Sequence, residues 1–348
     1  MSSGSRVRFC MVGAGAIAQA YVRAFQRSKR ARLVGVADLR CEAANAIGEA
    51  LGCRSFSSCQ AMSEAVPCDA VVVCTPPATH PAISTWFLAR KVHVLCEKPL
   101  AIDSASARQM FSEADRNGVF LTMASKFRHV EDVTRAKSLV ASGVIGEVVL
   151  FENTFTAHVD MSRRWNSMPA ISGGGVLIDN GTHSVDMMRY FLGPLAEIQV
   201  VEGKRIQGPA VEDTVRMFVR SQSGVMGSID LSWTINKEQP SYISIYGSLG
   251  TILVGWKESK YRRAGDPNWS VFGKGYDKHQ AFLSQIDNFA RAIRDGEPLV
   301  VTPEDALASV DVIEAAYEAL AKNRWQPVNG ASGNGHKRAA VAAAGGAK

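Results

Sequence analysis

Between residues 7 and 125 the chain alternates short apolar runs with stretches of helical periodicity. The runs are Val7–Val12, Leu33–Ala37, Ala70–Cys74, Val92–Cys96 and Phe120–Ala124. Runs this short and this continuously apolar call for cover on both faces, as in a parallel sheet. Helical patterns fill the gaps at Ile17–Ser28, Cys41–Leu51, His80–Arg90 and Ser104–Asn117, the last with Asp103 as its N-cap. Strand–helix alternation of this kind predicts a doubly wound α/β domain with right-handed crossovers.

The pattern changes after residue 126. One helix, Val130–Ser142 closed by Gly143, leads into strand-like segments at Val148–Thr156, Glu197–Val201, Asp213–Arg220, Val225–Trp233 and Tyr242–Tyr246. Several alternate polar with apolar, as Thr214–Arg220 does, which suits an antiparallel sheet covered on one face. Helical periodicity returns at Gln280–Arg294 and Pro303–Lys322. The expected organisation is a first domain over 1–126, a second α/β domain over 127–328, and a disordered Ala/Gly/Ser/Asn tail over 329–348.

Composition narrows the function classes. An apolar fraction of 46% and a charged fraction of 21% exclude wholesale disorder. The net charge of +6 includes three positives in the tail, Lys337, Arg338 and Lys348. The remainder is too small to argue for a nucleic-acid or membrane partner. Seven cysteines without a C-x-x-C pair argue against a disulfide framework or structural zinc and for a reducing compartment. The uncharged stretch Ala70–Ala89 is broken by Pro76, Pro77 and Pro81, so it does not read as a spanning helix. Arg6 and Arg8 before Phe9–Ala18 mimic a signal peptide, but Gly13 and Gly15 interrupt that run. The expected location is cytoplasmic.

Gly13-Ala14-Gly15-Ala16-Ile17-Ala18 follows a predicted strand and opens a predicted helix, the context that makes a G-x-G-x-x-A pattern a dinucleotide fingerprint. The first glycine permits the turn. The second lets the backbone approach a pyrophosphate, which then meets the N–H groups of Ala16 and Ile17 at the helix start. Asp38 ends the second strand, where a carboxylate can hold ribose hydroxyls and repel a 2′-phosphate. NAD is therefore favoured, while Arg40, able to shield a phosphate, leaves NADP open. Two further strand ends, Cys74-Thr75-Pro76-Pro77-Ala78-Thr79-His80 and Cys96-Glu97-Lys98-Pro99, lie on the same ligand edge. Cys74, Thr75, Pro76, His80, Glu97 and Lys98 are candidate cofactor contacts, with His80 read as a helix-start residue rather than a catalyst.

The segment Gly173–Asp186 carries three glycines and then helical spacing, with Asp179 and His183 on one face. The carboxylate can orient the imidazole and stabilise its protonated form, or else simply cap a polar helix start. Hydride transfer at a carbinol carbon needs a proton acceptor and a positive group near the oxygen. His183 suits the first task and the Lys98 ammonium the second. No H-x-H, H-E-x-x-H or cysteine cluster appears, so a metal-free mechanism is expected. Arg163-Arg164-Trp165-Asn166 offers a sugar-ring face from Trp165 and an anion clamp from Arg164, or is a solvated basic loop. His158, Tyr242 and Tyr276 are further pocket candidates.

Together these pieces resemble the Gfo/Idh/MocA family of oxidoreductases. The matching segments are Gly13–Ala18, Cys74–His80, Glu97–Pro99, Gly143–Glu147, Gly173–Asp186, Ile243–Thr251 and Glu297–Asp305, in family order up to Val328. The resemblance implies a Rossmann domain followed by an α/β domain whose large, mostly antiparallel open sheet mediates homodimers or homotetramers. It implies that Lys98 lies beside the reacting hydroxyl and the nicotinamide, and that Asp179 and His183 form the acid/base pair. Arg128 matches a basic position near the cofactor, and Lys126 stands where Asn or Met is usual, which bears on substrate contact. The implied activity is NAD(H)-dependent oxidation or reduction of a secondary carbinol of a sugar, cyclitol or sugar derivative. An oxidoreductase with tightly bound, internally recycled NAD(P) and a non-catalytic dinucleotide-sensing regulator are the alternatives. A regulator would tolerate loss of Lys98, Asp179 or His183, and all three are present.

Overall fold

The computed structural model describes residues 6–208 and 210–328; the tail expected over 329–348 lies outside the described residues. The first half runs β1 (Val7–Val12), α1 (Ala18–Arg27), β2 (Ala31–Ala37), α2 (Cys41–Leu51), β3 (Arg54–Phe56), α3 (Cys59–Ala65), β4 (Ala70–Val73), α4 (His80–Leu88), β5 (His93–Glu97), α5 (Ser104–Asn117) and β6 (Leu121–Ala124). Its six strands are all parallel, in the order β3-β2-β1-β4-β5-β6. Order reverses between β1 and β4, and that switch point opens a crevice beyond their carboxyl ends. Every residue of β4 is buried, which is why its sequence is an unbroken Ala-Val-Val-Val. Asp103 caps α5 by accepting the Ser106 N–H at 2.7 Å.

The second half runs α6 (Glu131–Ala141), β7 (Val148–Thr156), α7 (Pro169–Ser172), α8 (Val176–Leu192), β8 (Leu195–Glu202), β9 (Thr214–Ser221), β10 (Met226–Ser232), β11 (Ser241–Gly247), β12 (Gly250–Gly255), β13 (Ser259–Arg263), β14 (Ser270–Gly273), α9 (Lys278–Asp295), α10 (Pro303–Lys322) and β15 (Gln326–Pro327). A nine-stranded sheet forms in the order β14-β13-β12-β11-β7-β10-β9-β8-β15, antiparallel except where β10 meets β7. Alternate residues of β9 are buried against the helices, while Arg216, Phe218 and Arg220 face outward. Helix α8 packs under β7, β9 and β10, so Met188 and Val185 are fully buried.

The two halves share a core. Helix α9 crosses back to α1, and its Phe282, Ile286 and Phe289 join Phe9, Tyr21 and Phe25 beneath the parallel sheet. Each such buried side chain contributes about 1.5–3 kcal/mol of hydrophobic stabilisation. Lys98, just past β5, meets Asp179 in the first turn of α8, so the start of that helix lies beside the carboxyl end of β5. All seven cysteines are free thiols. Among the described residues no helix is long and apolar enough to cross a membrane, and no group of three His, Cys, Asp or Glu side chains could hold a metal ion.

Candidate active site

The glycine turn after β1 is shaped by contact with β4. Gly13 adopts φ +96°, and a Cβ there would lie 2.7 Å from the Cys74 carbonyl carbon. Only glycine fits both demands. At Gly15, by contrast, a Cβ would meet nothing within 4 Å, so this side of the turn faces open space. The backbone N–H groups of Gly15, Ala16 and Ile17 find no acceptor among the described residues. Unpaired donors at a helix start facing free space are the arrangement an anionic pyrophosphate fits.

Asp38 sits just past β2. Its Oδ2 accepts the Ala14 N–H at 2.7 Å and its Oδ1 accepts the Arg40 N–H at 2.8 Å, with Arg40 Nε at 3.3 Å. Burial works to raise the Asp38 carboxyl, but these N–H groups and the Arg40 guanidinium outweigh it and hold the carboxyl below its ordinary value. A fixed carboxylate beside an exposed guanidinium is what the sequence placed here, and the residues present fit an adenosine ribose.

The neighbouring loops are built for rigidity. Thr79 Oγ1 donates to the Pro76 carbonyl at 2.7 Å and, its one hydrogen used there, accepts from the Thr75 hydroxyl at 2.8 Å. Buried His80 lies between the carbonyls of Thr75 (2.8 Å from Nε2) and Pro99 (2.9 Å from Nδ1), at the β4 and β5 exits; burial lowers its pKa, and the neutral ring donates to one of the two carbonyls. Both ring nitrogens thus face backbone carbonyls, so His80 organises the cleft. Cys74 is buried as well. Glu97 also turns inward: its Oε1 accepts the Tyr21 hydroxyl at 2.7 Å, and Gln285 Nε2 donates to that hydroxyl oxygen at 3.0 Å. Its Oε2 takes the Lys98 N–H at 3.2 Å. Burial raises the Glu97 carboxyl, opposed by Tyr21 and Lys98.

Lys98 leaves β5 and reaches α8, where its Nζ donates to the Asp179 carbonyl at 2.9 Å and pairs closely with Asp179 Oδ1. The glycines before α8 serve close packing: a Cβ on Gly174 would strike the Tyr317 hydroxyl, and one on Gly175 the Glu212 carbonyl. Glu212 Oε1 caps the helix, accepting the Gly175 and Leu177 N–H groups at 2.9 and 3.0 Å and the Tyr317 hydroxyl at 2.8 Å. One turn beyond Asp179, His183 is buried edge-on to Phe127, with ring centroids 5.0 Å apart. Burial, then the Lys98 and Lys126 charges, push its imidazole well below the usual range, so it stands neutral. Its Nδ1 has no hydrogen-bond partner among the described residues. Asp179 therefore serves Lys98, not His183, because the ammonium from β5 reaches the carboxylate first.

Arg128 differs most from its expected place. It is 3% exposed. Its guanidinium meets Asp186 at 2.7 Å and Asp305 at 2.6 Å, joining the turn after β6 to α8 and α10. Both partners are negative and buried or half-buried, so the arginine is drawn into the core instead of the cofactor cleft. Arg164 and Trp165 are exposed on the loop before α7, which packs on the Pro77–Thr79 turn; among the described residues they make no bond to Lys98, Asp179 or His183. Tyr242 and Tyr276 join Phe127, Phe155 and Trp256 in an aromatic wall beside His183. Tyr21, Gln285, Glu212 and Phe127 act on the site from sequence positions that carried no motif.

A doubly wound domain with an anion-ready glycine turn, and a Lys–carboxylate pair beside a neutral imidazole at its ligand edge, define a dinucleotide-dependent oxidoreductase. Comparison with known proteins agrees: residues 7–125 match "Oxidoreductase family, NAD-binding Rossmann fold" and residues 133–253 match "GFO/IDH/MocA C-terminal domain". The chain belongs to the Gfo/Idh/MocA oxidoreductase family, and its first domain is an NAD-binding Rossmann domain. It is 28% identical to the rhizopine catabolism protein MocA of Rhizobium meliloti, over 95% of this chain and 99% of that one. It is likewise 28% identical to inositol 2-dehydrogenase of Rhizobium meliloti strain 1021, over 91% and 98% of the two chains. The fold matches levoglucosan dehydrogenase solved with NADH and levoglucosan, with a TM-score of 0.86 at 22% identity over 93% of this chain and 99% of that one.

Proposed function

We propose that this chain is an NAD(H)-dependent dehydrogenase of a secondary carbinol on a sugar, cyclitol or sugar derivative. The observation that carries the reading is Lys98 Nζ held on Asp179 beside the neutral imidazole of His183, at the carboxyl edge of β5. The cyclitol part of the substrate class rests on the inositol 2-dehydrogenase relative. Gly13, Gly15, Ala16 and Ile17 would hold the pyrophosphate of NAD and Asp38 its adenosine ribose. When bound, NAD supplies the hydride acceptor.

The chain's own residues then divide the proton chemistry. Lys98, its charge backed by Asp179, stabilises negative charge developing on the substrate oxygen. His183, uncharged at neutral pH, is free to accept the hydroxyl proton, which an imidazolium could not do. Asp179 holds Lys98 in place through its carbonyl and its carboxylate. The aromatic wall formed by Phe127, Tyr242 and Tyr276 keeps water from His183. Glu97, Tyr21 and Gln285 fix the strand end from which Lys98 projects.

The test is a screen of cyclitols, free sugars, glycosides and sugar phosphates with NAD⁺, followed by absorbance of NADH, on the native enzyme, Lys98→Met and His183→Ala. Each variant should lose at least about 100-fold in kcat while NADH affinity stays within a few-fold. A variant with near-native kcat would remove its residue from the mechanism, and no oxidation of any polyol would overturn the reading.

A further inference from the structure

Lys126 opens the 3₁₀ turn after β6 and is half-buried, yet its ammonium makes no hydrogen bond or ion pair with any described residue. Its Nζ lies 5.2 Å from the ring centroid of Phe127 and 6.0 Å from that of Phe282. The charged groups facing it are Glu97 and Lys98 from the end of β5, Asp179 from α8 and Lys278 from the first turn of α9. None of the negative ones is available to it. Asp179 is committed to Lys98. Glu97 is committed to Tyr21 and the Lys98 N–H, and burial favours its neutral form. Lys98 and Lys278 repel it, and His183 is uncharged. Lys126 is thus left without a carboxylate partner of its own.

We propose that Lys126 is a specificity-determining residue that receives an anionic group, a carboxylate or a phosphate, carried by the same polyol whose hydroxyl meets Lys98. The location rests on the dehydrogenase reading above; the preference for an anion rests on Lys126 itself. An ammonium offers three donors, and no described residue accepts any of them. The faces of Phe127 and Phe282 attract the ammonium but accept none of its three N–H donors; a neutral hydroxyl would take one donor, whereas an anion takes donors and answers the charge in a site of low polarity. Burial and Lys98 push the Lys126 ammonium down to about 8. It therefore remains roughly 90% protonated at pH 7. A lysine is a point charge without the planar fork of arginine, so the geometry suits carboxylate and phosphate alike.

Calorimetric titration of the NADH-loaded enzyme with D-glucose, D-glucuronate and D-glucose 6-phosphate tests this without turnover. At least one anion should bind about tenfold more tightly than glucose, a difference of about 1.4 kcal/mol. Which anion wins separates carboxylate from phosphate. Lys126→Met should shrink the gap to about threefold or less, and Lys126→Arg should restore it. Equal binding of glucose and both anions by the native enzyme, or a gap that survives Lys126→Met, would overturn the proposal. Oxidation of neutral polyols without any anion gap sinks this inference and spares the dehydrogenase reading. An anion gap without oxidation of any polyol does the reverse.

Discussion

Replacing Arg128 by methionine separates a structural role from a cofactor role at one position. The guanidinium is 3% exposed and meets Asp186 through Nη2 at 2.7 Å and Nε at 3.0 Å, and Asp305 through Nη1 at 2.6 Å. Methionine keeps most of the volume but removes the charge. Asp186, fully buried, is then left with the Ser125 hydroxyl, and its carboxyl, already raised by burial, loses the arginine that opposes that rise. Removing one partner of a buried ion network costs about 3–5 kcal/mol. For a chain of this size that lowers Tm by on the order of 10 °C. The double variant Arg128→Met/Asp186→Asn removes the orphaned charge and should recover more than half of the loss, since a buried pair replaced as a unit is often nearly neutral. Thermal melts followed by circular dichroism measure the stabilities, and NADH fluorescence measures cofactor affinity, expected to stay within about twofold. A single variant that melts within about 2 °C of native, or one that folds well but loses NADH binding, would refute the reasoning.

Other positions give further expectations. The native enzyme should bind NADH at least about tenfold more tightly than NADPH, and Asp38→Ala should narrow that ratio; equal native affinities would show that Asp38 does not discriminate. Burial, then Arg128 and Arg291, push the His129 imidazole down to about 3. The unfolded chain therefore binds the extra proton more readily, so stability is full above about pH 6.5 and declines as pH falls towards the folded value. His129 alone should cost about 2 kcal/mol between pH 7 and pH 5, and a denaturation series in which His129→Gln shows the same acid loss would contradict this. The outward face of the nine-stranded sheet, with Phe218 at 40% exposure between Arg216 and Arg220, is expected to join copies of the chain. Sedimentation should find a dimer or tetramer that Phe218→Asp weakens; a native monomer would rule that face out.

The elements that were readable in the sequence are those whose burial is uniform or strictly periodic. β4 is buried at every position, and β9 alternates without a break, so each declares its environment. The strand Arg54–Phe56 is three residues long and nowhere fully buried, and helix Cys59–Ala65 buries only Met62, so neither left a pattern to find. Ser259–Arg263 and Ser270–Gly273, the last two strands at one end of the nine-stranded sheet, are each fully buried at only one position, so they too left no clean pattern. At the site, the glycine turn, Asp38, Lys98, Asp179 and His183 were legible because local spacing places them on strand ends and one helix face. Their pairing was not. Lys98 and Asp179 are 81 residues apart, and only the placement of α8 beside the end of β5 makes the ammonium, not the imidazole, the partner of that carboxylate. Arg128 looked like a ligand residue because its acidic partners, Asp186 and Asp305, lie 58 and 177 residues away.

The most direct measurement is a crystal structure of the enzyme with NADH and an oxidisable polyol. The account predicts the pyrophosphate over Gly15–Ile17, with the redox carbon and the reacting hydroxyl together between Lys98 Nζ and the imidazole of His183. A nicotinamide ring or a carbinol lying elsewhere, with Lys98 still closed on Asp179 and His183 untouched, would contradict it.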